Sequence, residues 1–168
     1  MRLRRSALPW LVAVVLVVAY LVARSGGDAF PSFDDAQEAR VQRVVDGDTV
    51  RLVGLGSVRL IGVNTPEVYG HVQCFGPEAS AFAKSVLHPG IRVRYQAGRE
   101  AHDRYGRLLA YVWLEDGRLF NAILVERGYA VPLTIAPNDQ LARRFRSQEA
   151  SARRARLGMW RLPGCAPG

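Results

Sequence analysis

The chain has 168 residues, of which 49% are hydrophobic, and a formal net charge of +8 at neutral pH. This composition is that of an ordinary globular protein, and the length allows one domain with a small appendage. Arg2, Arg4, Arg5 and Arg24 flank an N-terminal apolar run, so the chain without residues 1–25 has a charge of only +4. Such a modest excess is compatible with a polyanionic partner but does not identify one.

Residues 1–25 join a basic start to an apolar run, which predicts a signal peptide or an uncleaved signal-anchor helix. The run is close to the lower limit of the roughly 17–25 apolar residues that span a bilayer. The basic residues favour a cytoplasmic N-terminus, so we expect an extracytoplasmic protein that is either membrane-anchored or secreted. The segment Ala23-Arg24-Ser25 defines a cleavage site poorly, and a buried core helix is the remaining interpretation.

Residues 26–39 are mostly small or polar and predict a flexible linker. From Arg40 onwards, apolar alternation predicts three strands, near 41–45, 50–53 and 58–63. The turn "DGDT" at 46–49 joins the first two strands, and a glycine-rich turn joins the second to the third. The pattern is typical of an antiparallel meander, which here ends in the loop "NTPE" at 64–67.

A helix is predicted next, because apolar residues at helical spacing begin after Pro77 and stop at Pro89-Gly90. Two further strands are predicted at 91–95 and 108–114. The loop "DRYGR" at 103–107 leads into the second of them.

Two helices are predicted to close the chain, a short one at 119–127 and a long one near 138–157. The long helix would direct four apolar residues to the core, namely Leu141, Phe145, Ala152 and Ala155. Its other side carries the arginines Arg143, Arg144, Arg146, Arg153, Arg154 and Arg156. We interpret this side first as a solvated face and second as a surface for nucleic-acid phosphates.

This order of elements predicts an α+β domain that is mainly β. We expect a five-stranded barrel of the oligonucleotide-binding type with three helices, preceded by the N-terminal hydrophobic helix. The domain would span 40–162 and leave a short tail at 163–168. The two cysteines, Cys74 and Cys165, would pair in an oxidising compartment, and two independent thiols are the alternative.

Three short segments carry the candidate chemistry, "DGDT", "VRLIGVNTPE" at 58–67 and "DRYGR". They supply oxygen ligands for a hard cation, a carboxylate base and two guanidinium groups that suit a phosphate. Hydrolysis of a phosphodiester needs these three kinds of group at one point.

These segments, together with "VVDGDTVRL", "FGPEASAFAKSVL", "DRYGRLLAYVWL" and a final "GMW", resemble the staphylococcal nuclease (thermonuclease) family. The resemblance runs from about Arg43 to Trp160. It implies a calcium-dependent nuclease on an oligonucleotide-binding-type barrel. Such enzymes cut DNA and RNA with little sequence preference and leave a 5′-hydroxyl and a 3′-phosphate.

The resemblance also implies a Ca²⁺ site. Asp48 matches a calcium-ligating aspartate, and Thr65 matches a position whose backbone carbonyl is a ligand. Asp46 matches an aspartate that lies near the metal without binding it directly. A second carboxylate ligand of the family is Asn64 here, so the site has one negative charge less and we expect weaker calcium binding.

The same resemblance assigns the reacting groups. Glu67 matches the general base or water-orienting glutamate, and Arg59 and Arg107 match the arginines that hold the scissile phosphate. Tyr105 is the expected substrate-binding tyrosine. Two other tyrosines of the family are Leu133 and Ile135 in this chain, which predicts weaker substrate affinity.

Simpler interpretations exist for each residue taken alone, since "DGDT" is a good hairpin turn and arginines are common on solvated strands. A nucleic-acid-binding module without catalysis is therefore one alternative, and a membrane-tethered interaction domain is another. The preference for DNA or RNA stays open, and we expect a monomer.

Overall fold

The computed structural model describes residues 31–165, so the predicted N-terminal hydrophobic helix lies outside the described residues. Five strands form a closed barrel: β1 Gln37–Val44, β2 Thr49–Leu52, β3 Gly56–Leu60, β5 Arg92–His102 and β6 Leu108–Leu114. Two short strands, β4 Val63–Asn64 and β7 Val131–Pro132, pair separately. The helices are α1 Gly76–Val86, α2 Phe120–Glu126 and α3 Ala142–Arg154, and a 3₁₀ turn follows at Gly158–Arg161. The predicted barrel with three helices is confirmed.

The barrel has the strand order β1-β2-β3-β6-β5, and β5 closes it against β1. The first three strands form the predicted antiparallel meander. The pairing of β3 with β6 is parallel, with Val58 opposite Leu108 and Leu60 opposite Ala110. This pairing places the end of β3 beside the start of β6, where the loops "NTPE" and "DRYGR" leave the barrel.

Strand β6 is buried on both faces and is covered by a helix on the outside of the barrel. Its sequence, LLAYVWL, is buried at every position except Leu109, which is half-buried. A strand that is buried on both faces must be covered by a further layer. Helix α2 supplies much of this cover, because its residues from Phe120 to Val125 are all buried.

Asn121 joins α2 to the barrel and has no exposed surface. Its side-chain Oδ1 accepts a hydrogen bond from the Val112 amide at 3.0 Å. Its Nδ2 donates to the carbonyl of Ile61 at 2.9 Å. A single side chain therefore fixes the exit of β3 against β6 and α2, and this exit leads directly to the loop at 64–67.

The N-terminal edge of the domain lies earlier than the sequence indicates. Strand β1 begins at Gln37, within the residues predicted as a linker. Ala36 is buried, and the guanidinium of Arg94 lies 4.6 Å from the centre of the Phe33 ring. The end of the predicted linker is thus packed against the barrel.

Two further differences concern β5 and α3. Strand β5 runs on to His102 instead of ending near 95. It pairs with β6 from Val93 to Ala97 and again at His102, and the register is irregular between these two stretches. Helix α3 begins at Ala142 and ends at Arg154, so it is shorter than predicted. The prediction that Ala155 faces the core is wrong, because the helix has ended there and Arg156 adopts a positive φ of 51°.

Cys74 and Cys165 form a disulfide across a sequence separation of 91 residues. The paired alternative of the sequence analysis is therefore correct, and the bond joins the segment before α1 to the end of the described chain. Within residues 31–165, no helix has both the length and the apolar character needed to cross a lipid bilayer.

Replacing Asn121 tests its role as the link between α2 and the barrel. We expect Asn121→Ala to lower the free energy of unfolding by about 2–4 kcal/mol, because it leaves the Val112 amide and the Ile61 carbonyl buried without partners. Urea denaturation followed by circular dichroism measures the change. The control is Gln42→Ala, which removes an exposed amide side chain from β1. Equal stability of both variants would contradict this role.

Candidate active site

The turn between β1 and β2 is closed by its own side chains and backbone. The amides of Val45 and Asp46 both donate to the carbonyl of Thr49, at 2.8 and 3.3 Å. Asp46 Oδ1 accepts a hydrogen bond from the Asp48 amide at 3.1 Å. A side chain at Gly47 would begin 2.6 Å from Thr65 Oγ1, so only glycine lets the turn approach the "NTPE" loop this closely.

Asp48 connects this turn to two other parts of the chain, and it is only 6% exposed. Its Oδ2 accepts hydrogen bonds from the amide of Thr65 at 2.7 Å and from the Thr65 hydroxyl at 3.1 Å. The same oxygen forms an ion pair with Arg59 Nη2 at 3.1 Å. One carboxylate thus holds together the β1–β2 turn, strand β3 and the loop that follows it.

Burial raises the pKa of Asp48 from 3.8 to about 6. The Arg59 guanidinium and the hydrogen bonds from Thr65 oppose this rise, while the carboxylate of Asp46 adds to it. Removal from water is the larger effect, because a buried carboxylate loses hydration that one ion pair does not replace. A further positive charge beside Asp48 would therefore favour its ionised form.

Arg59 is held from several directions, and its side chain is 13% exposed. Its Nη1 donates to the carbonyls of Leu60 at 3.0 Å and Val63 at 2.8 Å. Its Nη2 donates to Asn64 Oδ1 at 2.9 Å and also pairs with Asp48. The positive guanidinium consequently lies between the two side-chain oxygens that the sequence predicts as metal ligands.

These oxygens fit a hard cation. The carboxylate of Asp48 and the amide oxygen of Asn64 already face one positive group, and Thr65 is bonded to Asp48. Among residues 31–165, no group of three or more His, Cys, Asp or Glu side chains is arranged to hold a metal ion. Carboxylate, amide and carbonyl oxygens are the ligands that a hard cation such as calcium takes, usually together with water.

The "DRYGR" loop presents the second arginine. Asp103 Oδ1 accepts hydrogen bonds from the amides of Tyr105 at 2.9 Å and Arg107 at 3.0 Å. Its Oδ2 accepts from Arg107 Nε at 2.7 Å. Burial alone would raise the pKa of Asp103, but the hydrogen bonds from Arg107 and Tyr105 lower it below the usual value. The loop is thus folded around an ionised aspartate that orients Arg107.

Arg59 and Arg107 line the same groove, which has a volume of about 450 Å³. Leu133 and Ile135 form part of its wall and are 39% and 61% exposed. Tyr105 also lines the groove and is 67% exposed, so it is not packed into the core. The structure thus brings together both predicted phosphate-binding arginines, the predicted substrate tyrosine and the two positions that depart from the family pattern.

Glu67 lies two residues after Thr65 and is exposed. It is not among the residues that line the groove, and its described hydrogen bonds involve its backbone. Its role as a base stays a prediction.

Asn138 was not predicted as a site residue, because the sequence pattern indicates only that it lies at the start of a helix. Asn138 is 6% exposed, and its amide group bonds the backbone of Glu100 at both the N–H and the C=O, at 3.1 and 2.9 Å. It lines the groove and fixes the outer part of β5. The only sequence signal is Gly98, since glycine within a strand indicates close approach and a side chain there would begin 2.5 Å from Asn138.

Comparisons with known proteins give a consistent result. The family model described as staphylococcal nuclease homologue matches residues 57–162. Thermonuclease from Staphylococcus intermedius is 37% identical over 156 residues, which cover 89% of this chain and 92% of that protein. Thermonuclease from Staphylococcus hyicus is 33% identical over 158 residues, with the same coverage of 89% and 92%. Endonuclease YhcR from Bacillus subtilis is 37% identical over 144 residues, but the chain spans only 12% of that longer protein.

The raised pKa of Asp48 predicts a specific pH dependence. Because the pKa is about 6 in the folded chain and 3.8 as the reference value, the folded state binds this proton more tightly. The contribution of Asp48 to the free energy of unfolding is therefore greatest below about pH 4 and is lost as the pH rises through about 6. In the presence of a chelator, we expect Asp48→Asn to gain on the order of 2–3 kcal/mol relative to the wild type between pH 4 and pH 7.

Urea denaturation of both proteins at a series of pH values measures this difference. If the difference in the free energy of unfolding between the two proteins does not change with pH, Asp48 keeps its ordinary pKa. If the wild type instead becomes more stable relative to Asp48→Asn as the pH rises, the ion pair with Arg59 outweighs burial.

Proposed function

Because this chain belongs to the staphylococcal nuclease homologue family and is a phosphodiester-hydrolysing nuclease, we propose that it cuts DNA and RNA with little sequence preference in a calcium-dependent reaction. The observation that carries the proposal is the position of Arg59. This residue bonds Asp48 and Asn64 on one side and lines the groove shared with Arg107 on the other. Candidate metal ligands and phosphate-binding groups therefore adjoin one another.

Calcium would be held by the carboxylate of Asp48, the side-chain oxygen of Asn64 and the backbone carbonyl of Thr65, with Asp46 beside them. When bound, the ion would neutralise charge on the phosphate and hold a water molecule. The contacts of Asp48 Oδ2 and Asn64 Oδ1 with one nitrogen, Arg59 Nη2, support this assignment, because they bring the two oxygens close enough to share an ion.

Arg59 and Arg107 would bind the non-bridging oxygens of the scissile phosphate. A planar guanidinium pairs with two phosphate oxygens at once, which lysine does not do. Each arginine is already oriented, Arg59 by backbone carbonyls and Arg107 by Asp103. Groups that need not reorganise during the reaction stabilise the developing negative charge most effectively.

Glu67 would take a proton from the attacking water. The water oxygen then bonds to phosphorus, the bond from phosphorus to the 5′ oxygen breaks, and that oxygen takes a proton from solvent water and leaves as a hydroxyl. Glu67 afterwards returns its proton to solvent. The other product keeps the phosphate on its 3′ oxygen.

Recognition by this groove would depend on the sugar–phosphate backbone, which carries no sequence information. Tyr105 can stack on a base or sugar, because two-thirds of its surface is exposed at the edge of the groove. Leu133 and Ile135 offer apolar contact without hydrogen bonds. We therefore expect modest substrate affinity and little selectivity among bases.

We also propose that the protein acts outside the cytoplasm, either anchored to the membrane or secreted. The disulfide between Cys74 and Cys165 supports this, because such bonds persist in oxidising compartments. A monomer suffices, since one chain supplies every proposed group.

The central test is degradation of plasmid DNA, single-stranded DNA and RNA by the full chain, with product ends mapped. We expect cleavage in millimolar calcium and none after chelation. Glu67→Gln should lower kcat about a thousandfold while the variant stays folded, because it removes the proton acceptor and keeps the shape. The matched control is Glu115→Gln, which neutralises an exposed carboxylate beyond the end of β6.

Full activity of Glu67→Gln would refute the assignment of the base. A shift of DNA mobility in millimolar calcium without cleavage would favour the alternative, a nucleic-acid-binding module on the same barrel. If neither binding nor cleavage occurred with any polynucleotide, both nucleic-acid functions would be refuted.

Asn64→Asp tests the metal ligands separately from activity. A second carboxylate restores a negative charge beside Asp48, so we expect calcium to bind about tenfold more tightly. Titration calorimetry on the full chain measures this affinity. Gln42→Glu is the control, because it adds the same charge at an exposed position on β1. Unchanged or weaker binding to Asn64→Asp would show that Asn64 is not a ligand.

A further inference from the structure

The backbone of Glu67 is bonded at both of its polar groups by one residue, Gln73. The amide of Glu67 donates to Gln73 Oε1 at 3.0 Å. The amide of Gln73 donates to the carbonyl of Glu67 at 2.9 Å. These two hydrogen bonds close the loop between them and leave Glu67 little freedom to rotate about its backbone.

Gly76 limits the same backbone from another side. A side chain at this position would begin 2.4 Å from the carbonyl oxygen of Glu67, so the start of α1 lies directly against that group. The amide of Gly76 also donates to the carbonyl of Gln73 at 3.1 Å, and Phe75 between them has a positive φ of 69°. Residues 73–76 therefore form a tight turn that packs on Glu67.

This turn is itself attached to a second hydrophobic cluster. Cys74 is bonded to Cys165, and Phe75 is buried with Met159 and Cys165. The Phe75 ring also stacks on Tyr129, with ring centres 5.5 Å apart. The residue that holds Glu67 is thus followed directly by two residues that are fixed to the end of the domain.

The chain is also held two residues before and two residues after Glu67. The amide of Thr65 bonds Asp48, and the hydroxyl of Tyr69 donates to the carbonyl of Val45 at 2.9 Å, next to the "DGDT" turn. Glu67 lies between these two attachments and is the exposed residue of the three-residue segment from Thr65. Its backbone is therefore held while its carboxylate stays accessible to water.

We propose that Gln73 is a positioning residue for Glu67: it fixes the backbone of the base through paired hydrogen bonds and so fixes the origin of the carboxylate relative to Asp48. This inference rests on the proposed function, in which Glu67 takes a proton from water. An exposed glutamate samples many rotamers, and a mobile backbone would multiply its positions. Gln73 restricts the motion of the Glu67 backbone without contacting the substrate.

The test compares Gln73→Ala with Gln73→Glu, which keeps an oxygen acceptor at the same reach. Because small misplacements of a reacting group are costly, we expect Gln73→Ala to lower kcat about tenfold or more, with KM within about twofold of the wild type. Gln73→Glu should retain most of kcat. Gln42→Ala, the loss of an exposed glutamine elsewhere, should leave both constants unchanged.

Two readouts separate positioning from a general structural role. In a Glu67→Gln background, Gln73→Ala should cause no further loss of kcat, because both changes act through one carboxylate. Hydrogen exchange measured by NMR should show faster exchange of the Glu67 amide in Gln73→Ala, whether or not substrate is present.

Wild-type kcat in Gln73→Ala would overturn the inference, and so would multiplicative losses in the double variant or unchanged exchange of the Glu67 amide. Equal losses in Gln73→Ala and Gln73→Glu would also overturn it, because the acceptor oxygen would then be irrelevant. A wild-type chain that is inactive on every polynucleotide would instead refute the proposed function.

Discussion

The interaction on which the site depends is the set of hydrogen bonds that ends on Asp48 Oδ2. This oxygen joins the β1–β2 turn to Thr65 and Arg59, which belong to the loop after β4 and to β3. Burial is unfavourable for the ionised carboxylate and raises the pKa of Asp48. The fold tolerates this because the donors around Asp48 are themselves fixed by the barrel, and such costs are characteristic of functional sites.

The barrel supplies this rigidity by joining distant loops. The parallel pairing of β3 with β6 places Arg59 and Arg107 on neighbouring strand ends, although 48 residues separate them in the sequence. Each side chain of the proposed site is held by another group: Arg59 by backbone carbonyls, Arg107 by Asp103 and the backbone of Glu67 by Gln73. In the proposed function, groups that contact no substrate would therefore determine how accurately the reacting groups are placed.

Most of the fold could be predicted from the sequence because burial leaves a periodic pattern. Strand β6 was predicted at its observed limits, and α2 to within one residue at each end. The structural roles of Asn121 and Gln73 could not be predicted. Asn121 bonds the backbone of a residue 60 positions away and Gln73 bonds the backbone of a residue six positions away, and such bonds leave no periodic pattern in the sequence. Ala155 was misplaced since its spacing is helical, whereas the helix end depends on the positive φ of Arg156.

The strand order of the barrel has a consequence for incomplete chains. Strand β6 lies between β3 and β5 and pairs with both. A chain that stops before Leu108 would therefore leave one edge of β3 and one edge of β5 without hydrogen-bonding partners. Such open edges pair readily with other chains. A nascent or truncated product lacking β6 would therefore be prone to aggregate, and the final third of the sequence protects the first two-thirds from self-association.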